Sequence, residues 1–152
     1  TQFQVDGRKL YFSPVMDLHN GEIVSHQIST RPVLKLVTDM LKKALRKLAP
    51  GQKPLLHSDQ GWHYQQPIYC QMLAKQGVAQ SMSRKGNCLD NASMESFFAI
   101  LKTELFHVKK FDSIEALESA IHRYIDYYNH KRGKLRLGGL SPVQYRHKNA
   151  AP

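Results

Sequence analysis

Two dipeptides, Asp6-Gly7 in "VDGRK" and Asn20-Gly21 in "LHNGEIV", interrupt extended segments at the front of this chain. Each suits a type I′ turn, whose two central residues need positive φ and whose twist matches that of the strands it joins. Residues 1–29 are therefore predicted to form a three-stranded antiparallel meander. The chain opens at Thr1 on a segment that already reads as strand, as an excised or truncated domain would.

The pattern then changes to alternating helix and strand. Val33, Leu36, Val37, Met40, Leu41, Ala44 and Leu48 recur at helical spacing up to Pro50, with Pro32 expected in the first turn. "PLLHSD" is a short apolar run ending at Asp59. A helix follows from about Pro67 to Gln76, closed by Gly77, and "VAQSMS" reads as another short strand. The loop "SRKGNCLDN" leads into the helical "ASMESFFAILKTELF", with Asp90 or Asn91 as its cap. "DSIEALESAIHRYIDYYNH" has Asp112 three residues before Glu115, a capping-box spacing, and puts Ile114, Leu117, Ala120, Ile121, Tyr124 and Tyr128 on one stripe. A basic tail, "KRGKLRLGGLSPVQYRHKN", comes last. No repeat or low-complexity linker divides the 152 residues, so 1–152 is expected to be one domain. The predicted class is α/β: a mixed sheet, three antiparallel strands followed by parallel strands, with helices on its faces.

Twenty-two Lys and Arg stand against 12 Asp and Glu, a net charge of +10 in a chain that is 41% hydrophobic. A folded, strongly basic protein has a polyanion as its natural partner, though charge alone does not separate DNA from RNA or a membrane surface. Two cysteines, Cys70 and Cys88, make neither a disulfide framework nor a zinc cluster, which suggests a reducing, intracellular compartment. Every apolar run is broken by charge, so no signal peptide or membrane span is expected and the chain is read as soluble. None of the eight histidines pairs with cysteine at ligand spacing.

In such sheets ligands gather beyond the carboxyl ends of the strands, where Asp59 stands. Taken alone, "SDQG" is a turn motif in which the aspartate caps its own loop. A second carboxylate changes the reading. Thirty-five residues lie between Asp59 and Glu95, and at about 100° per residue Glu95 falls roughly a quarter turn from the stripe of Met94, Phe97, Phe98, Leu101 and Leu105. Glu95 is thus expected to border the core, sharing its edge with Asn91 and Lys102. Glu104 faces about 180° away and is assigned a surface charge or ion pair. Two carboxylates among Lys and Arg suit hard divalent cations that bridge phosphate oxygens, so phosphoryl transfer fits best.

The aspartate of "HSDQGWHY", the 35-residue spacer, "DNASMESFFAILKTE" and the late "YYNHKR...LSPVQYR" resemble the catalytic cores of bacterial insertion-sequence transposases, the DDE group similar to retroviral integrases. The resemblance covers nearly the whole chain. It implies a ribonuclease-H-like fold, two Mg²⁺ or Mn²⁺ ions, and attack of a DNA 3′-hydroxyl on a phosphodiester. Asp59 then matches the second acid of the triad, Glu95 the third, and Lys102 a contact for transposon-end DNA. Arg84, Lys85 and Asn91 are further candidate DNA contacts. The first acid is expected two residues before Thr1, outside this chain, together with an N-terminal DNA-binding region. Double-stranded DNA, a homo-oligomer and a cytoplasmic, nucleoid-associated location are likewise implied.

Other candidates carry less. Asp17, in "PVMDLHNG", is read as stabilising its turn rather than as a metal ligand. His57, Ser58 and Asp59 alternate faces along a strand and cannot converge as a Ser-His-Asp triad, although His57 shares a side with Asp59 and could support it. Trp62 is expected in the core beside His63, and Tyr124 and Tyr128 are read as core rather than as base-stacking platforms. Two rivals stay open at this stage: a metal-dependent nuclease of the same fold that cleaves without joining, and a catalytically inactive nucleic-acid-binding remnant.

Overall fold

The computed structural model describes residues 1–85 and 91–150. Cys88 and Asp90 lie outside the described residues. The meander forms as β1 (Gln2–Val5), β2 (Arg8–Met16) and β3 (Ile23–Ser29), all antiparallel in the order β1-β2-β3. Asp6 and Gly7 take φ of 49° and 72°, the sign pattern of a type I′ turn. The second connection differs from expectation. Among its residues only Gly21 has positive φ, and the link runs through six residues, 17–22. Asn20 is the reason: its side chain is buried, donating to Pro142 O at 3.1 Å and accepting from Glu22 N at 3.0 Å, so it is spent on tertiary contacts and not on a tight turn.

A parallel pair follows, β4 (Leu55–Ser58) and β5 (Ala79–Met82), joined in the register His57↔Ser81. The antiparallel and parallel strands form two separate ladders. α1 (Leu34–Leu45) begins after Val33, which places Pro32 just outside the helix and not in its first turn. α2 (Pro67–Lys75) ends before Gly77, whose φ of 69° needs no Cβ. α3 (Ala92–Leu101) runs into a π-helical turn, Lys102–Phe106, marked by the i→i+5 bond from His107 N to Lys102 O at 2.8 Å. α4 (Ile114–His130) is capped by Ser113, whose Oγ accepts from Ala116 N at 3.1 Å. Asp112 is therefore not the cap, and the expected capping box does not form. The tail holds a helix that its basic composition concealed: α5 (Pro142–Asn149), with a complete box between Ser141 and Gln144.

Alternation along β2 and β3 decides what covers each face of the sheet. Leu10, Phe12 and Ile28 face α3 and α4, where Phe97, Leu101, Leu117, Ile121 and Tyr128 are buried with them. Each such aliphatic side chain contributes about 1.5–3 kcal/mol relative to exposure. Ser13 and Ser25 face α1, and both bond Met40, one at its sulfur and one at its carbonyl. Beside them Val37, Met40 and Leu41 of α1 pack on Tyr69 and Leu73 of α2. Helices thus lie on both faces, as predicted. No helix of the described residues is long and apolar enough to cross a membrane.

Candidate active site

Asp59 stands one residue past the end of β4, on a loop held down at several points. Its Oδ1 accepts from Gly61 N at 2.7 Å. Gln60 donates through Nε2 to Ser83 O at 3.0 Å, Gln65 reaches back to Gln60 O at 2.6 Å, and Gln80 of β5 holds Tyr64 O at 2.8 Å. The carboxylate is exposed but its support is fixed. The Asp59 charge is also felt at the half-buried Tyr64, whose phenol pKa is raised by desolvation first and by Asp59 second.

Ser83 connects this loop to α3. It sits one residue beyond β5, where Ser83 N bonds Ser58 O at 2.8 Å and Ser83 Oγ bonds the same carbonyl at 3.2 Å. Asn91, at the N-cap position of α3, gives its side-chain amide to Ser83 Oγ at 2.5 Å and not to its own helix. His57 bonds Ser81 Oγ at 3.0 Å and Ser83 Oγ at 3.1 Å, so this histidine braces the same junction. The start of α3 is in this way tied to the end of β4. Glu95, one turn after Asn91, lies on that same edge of the helix. It is exposed and does not border the core as expected, because the α3 stripe is narrower than its sequence implies: only Phe97 and Leu101 are fully buried.

Lys102 begins the π turn, seven residues after Glu95, before the change in helical pitch can rotate it away. Its ammonium lies 5.9 Å over the Phe3 ring. Lys102 thus lies beside the start of β1. Arg84 and Lys85 follow Ser83 directly and are exposed.

Several side charges have other work. Asp17 Oδ1 accepts from His19 N at 2.8 Å, the turn role expected of it. Glu104 accepts from Arg132 Nε at 2.9 Å and from Tyr124 Oη at 2.6 Å, and its pKa is held down chiefly by the Arg132 bond. Trp62 is 54% exposed and stacks on His63 at 4.0 Å, contrary to the expectation of core packing. The short 3-10 turn Trp62–Gln65 buries none of its residues, so it offers the indole no pocket. Tyr124 and Tyr128 are buried as expected. Sequence reasoning passed over Ser83 and Gln60. The signal was present in the repeat Ser81-Met82-Ser83, which places two hydroxyls on the strand face that His57 shares.

Two family models, each described as an integrase core domain, match residues 1–88 and 95–149. A putative transposase for insertion sequence element IS150 from Escherichia coli (strain K12) is 51% identical over 152 residues, covering 100% of this chain and 54% of that protein. The chain thus spans about half the length of the curated relatives it matches. Among solved structures, a simian T-cell lymphotropic virus intasome superimposes with a TM-score of 0.80 at 18% identity over 100% of this chain and 53% of that one. The HTLV-2 integrase catalytic core domain in complex with magnesium gives 0.74 at 14% identity over 97% and 91%. At such identities the likeness establishes the fold, which is ribonuclease-H-like. With the family models matching nearly end to end and a relative 51% identical over the whole chain, the chain belongs to the integrase core domain family, of the bacterial insertion-sequence transposase type.

Proposed function

We propose that this chain is the catalytic core of a DNA transposase, cleaving DNA and joining a 3′-hydroxyl end to a new phosphodiester. The observation that supports this reading is the Ser58–Ser83–Asn91 bridge, which ties the N-cap of α3, one turn before Glu95, to the strand that ends before Asp59. Membership of a family of transposases supports it.

The donor chemistry fits Mg²⁺ or Mn²⁺. Asp59 and Glu95 offer hard carboxylate oxygens, and both are exposed, so water and phosphate oxygens can complete the coordination. When bound, a pair of such ions neutralises charge on the attacking and leaving oxygens of an in-line displacement. The protein's own residues supply position. Gly61 N–H orients the Asp59 carboxylate, and Asn91 anchors the helix that presents Glu95. Lys102, Arg84 and Lys85 place positive charge on the phosphate backbone, with Asn91 as a neutral contact. The nucleophile, water or a DNA 3′-hydroxyl, comes from solvent and substrate, so catalysis is chiefly orientation and electrostatics. Double-stranded DNA is the substrate and a homo-oligomer the working form.

The test is strand transfer by the full-length protein in Mn²⁺, using preprocessed oligonucleotide ends and a plasmid target. Asp59→Asn and Glu95→Gln are each expected to abolish joining while leaving DNA binding in place. Wild-type joining by either variant overturns the assignment. Cleavage without joining by the parent protein would establish a nuclease instead, and binding without Mn²⁺-dependent chemistry an inactive remnant.

A further inference from the structure

A second basic constellation lies where α4 meets the 17–22 turn, on residues that take no part in the candidate active site. Lys134 points its ammonium at Tyr128 Oη, and its nitrogen lies 4.3 Å from the centroid of the same ring. Arg132 reaches that ring too, with its guanidinium carbon 5.9 Å from the centroid. Arg136, exposed, donates through Nη1 to His19 O at 3.2 Å. Gly21 completes the cradle: a Cβ there would fall 2.5 Å from Lys134 Nζ and 3.8 Å from Arg136 Nη2.

The acids nearby are already committed. Glu104 is bound by Arg132 and Tyr124, Glu22 is bound by Arg146 at 2.9 Å, and Asp17 accepts from His19 N. Among the described residues no carboxylate pairs with Lys134. Its ammonium is half-buried beside Tyr128, and burial first, then Arg136 and Arg132, lower its pKa to about 8. A lysine desolvated near like charges is costly to the isolated fold, and an anion laid across Lys134 and Arg136 would relieve that cost. An arginine fork beside a lysine point charge suits phosphate oxygens spaced along a backbone.

We propose that Lys134 and Arg136, beside Tyr128 and the 17–22 turn, form a phosphodiester-backbone site that holds a DNA segment outside the Asp59–Glu95 locality. This rests on the reading of the chain as a DNA-acting protein. The site reads charge and spacing, not sequence.

The experiment measures duplex DNA affinity of the full-length protein against salt concentration, in EDTA so that metal-dependent contacts are absent. Arg136→Gln, at an exposed position, and the double variant Lys134→Met/Arg136→Gln are compared with the parent, with circular dichroism to confirm folding. Each lost phosphate contact is expected to flatten the log–log slope by about 0.9, so the single variant should lose about one unit and the double variant about two. A steep slope left unchanged in Arg136→Gln overturns the site while leaving DNA binding intact. A parent protein whose DNA affinity ignores salt overturns the DNA reading itself.

Discussion

Gly61 shows how narrowly a single side chain controls the candidate site. Its φ of −53° is open to any residue, so alanine there adds no backbone strain. The added Cβ would nonetheless lie 2.9 Å from Asp59 Oδ1 and 3.3 Å from the Tyr64 ring. The Tyr64 ring is half-buried and packed against the α1–α2 core, whereas the Asp59 carboxylate is exposed and is the group freer to move. Gly61→Ala is therefore expected to lower strand transfer by roughly tenfold or more, since small misplacements of a positioned group cost that much. Its melting temperature should change little. Comparing joining rate with thermal unfolding for this variant separates the two effects.

Helix α5 carries its own signal for where to begin. Ser141 is fully buried, its Oγ accepts from Gln144 N at 3.3 Å, and Gln144 Oε1 accepts from Ser141 N at 2.9 Å. Pro142 adds the fixed φ suited to the first turn. The box does more than start a short helix, because Pro142 O is the acceptor for the buried Asn20 side chain, and Arg146 of the same helix pairs with Glu22. α5 thereby pins the 17–22 turn. Ser141→Ala is expected to cost about 1 kcal/mol, read from urea unfolding. The Asn20 side-chain amide should then exchange faster by NMR. The helix was not read from the sequence, although Ser141-Pro142 is a helix-start signal, because the tail around it is basic and polar. Its tertiary role could not be read either, because Asn20 and Pro142 are 122 residues apart.

The molecule as a whole carries a built-in sensitivity to acid at the edge of its sheet. His26 of β3 bonds His122 of α4 at 2.8 Å, while Lys43 of α1 and Lys47, just beyond its end, donate to the β3 carbonyls of His26 and Val24. Burial first, then His122, Lys43 and Lys47, lower the His26 pKa from 6.5 to about 4. Glu118, near His122 at 3.8 Å, is the acid on the α4 side. Between those two pKa values the unfolded chain binds a proton that the folded chain refuses, so stability falls as pH drops from 6.5 toward 4. Thermal unfolding at pH 7 and pH 4.5 should show this loss. His26→Phe, which keeps the ring against Phe12 and removes the titration, should show less of it.

What the chain determined on its own were the features governed by near neighbours. The sign of φ at Asp6-Gly7 made the first hairpin, helical spacing made the stripe of α4, and Gly77 ended α2, all as read from the sequence. Asp59 at a strand end and Lys102 on the edge of Glu95 were legible for the same reason, since each follows from a period within one element. The second turn, the cap of α4, the exposure of Trp62 and the helix in the basic tail were not, because in each case a competing local partner or a distant one prevailed. Asn20 was taken by Pro142, Asp112 lost the cap to Ser113, and the role of Ser83 existed only once β4, β5 and α3 had met. Hydrogen-bonding side chains have several possible partners along the sequence, and only packing in three dimensions selects among them.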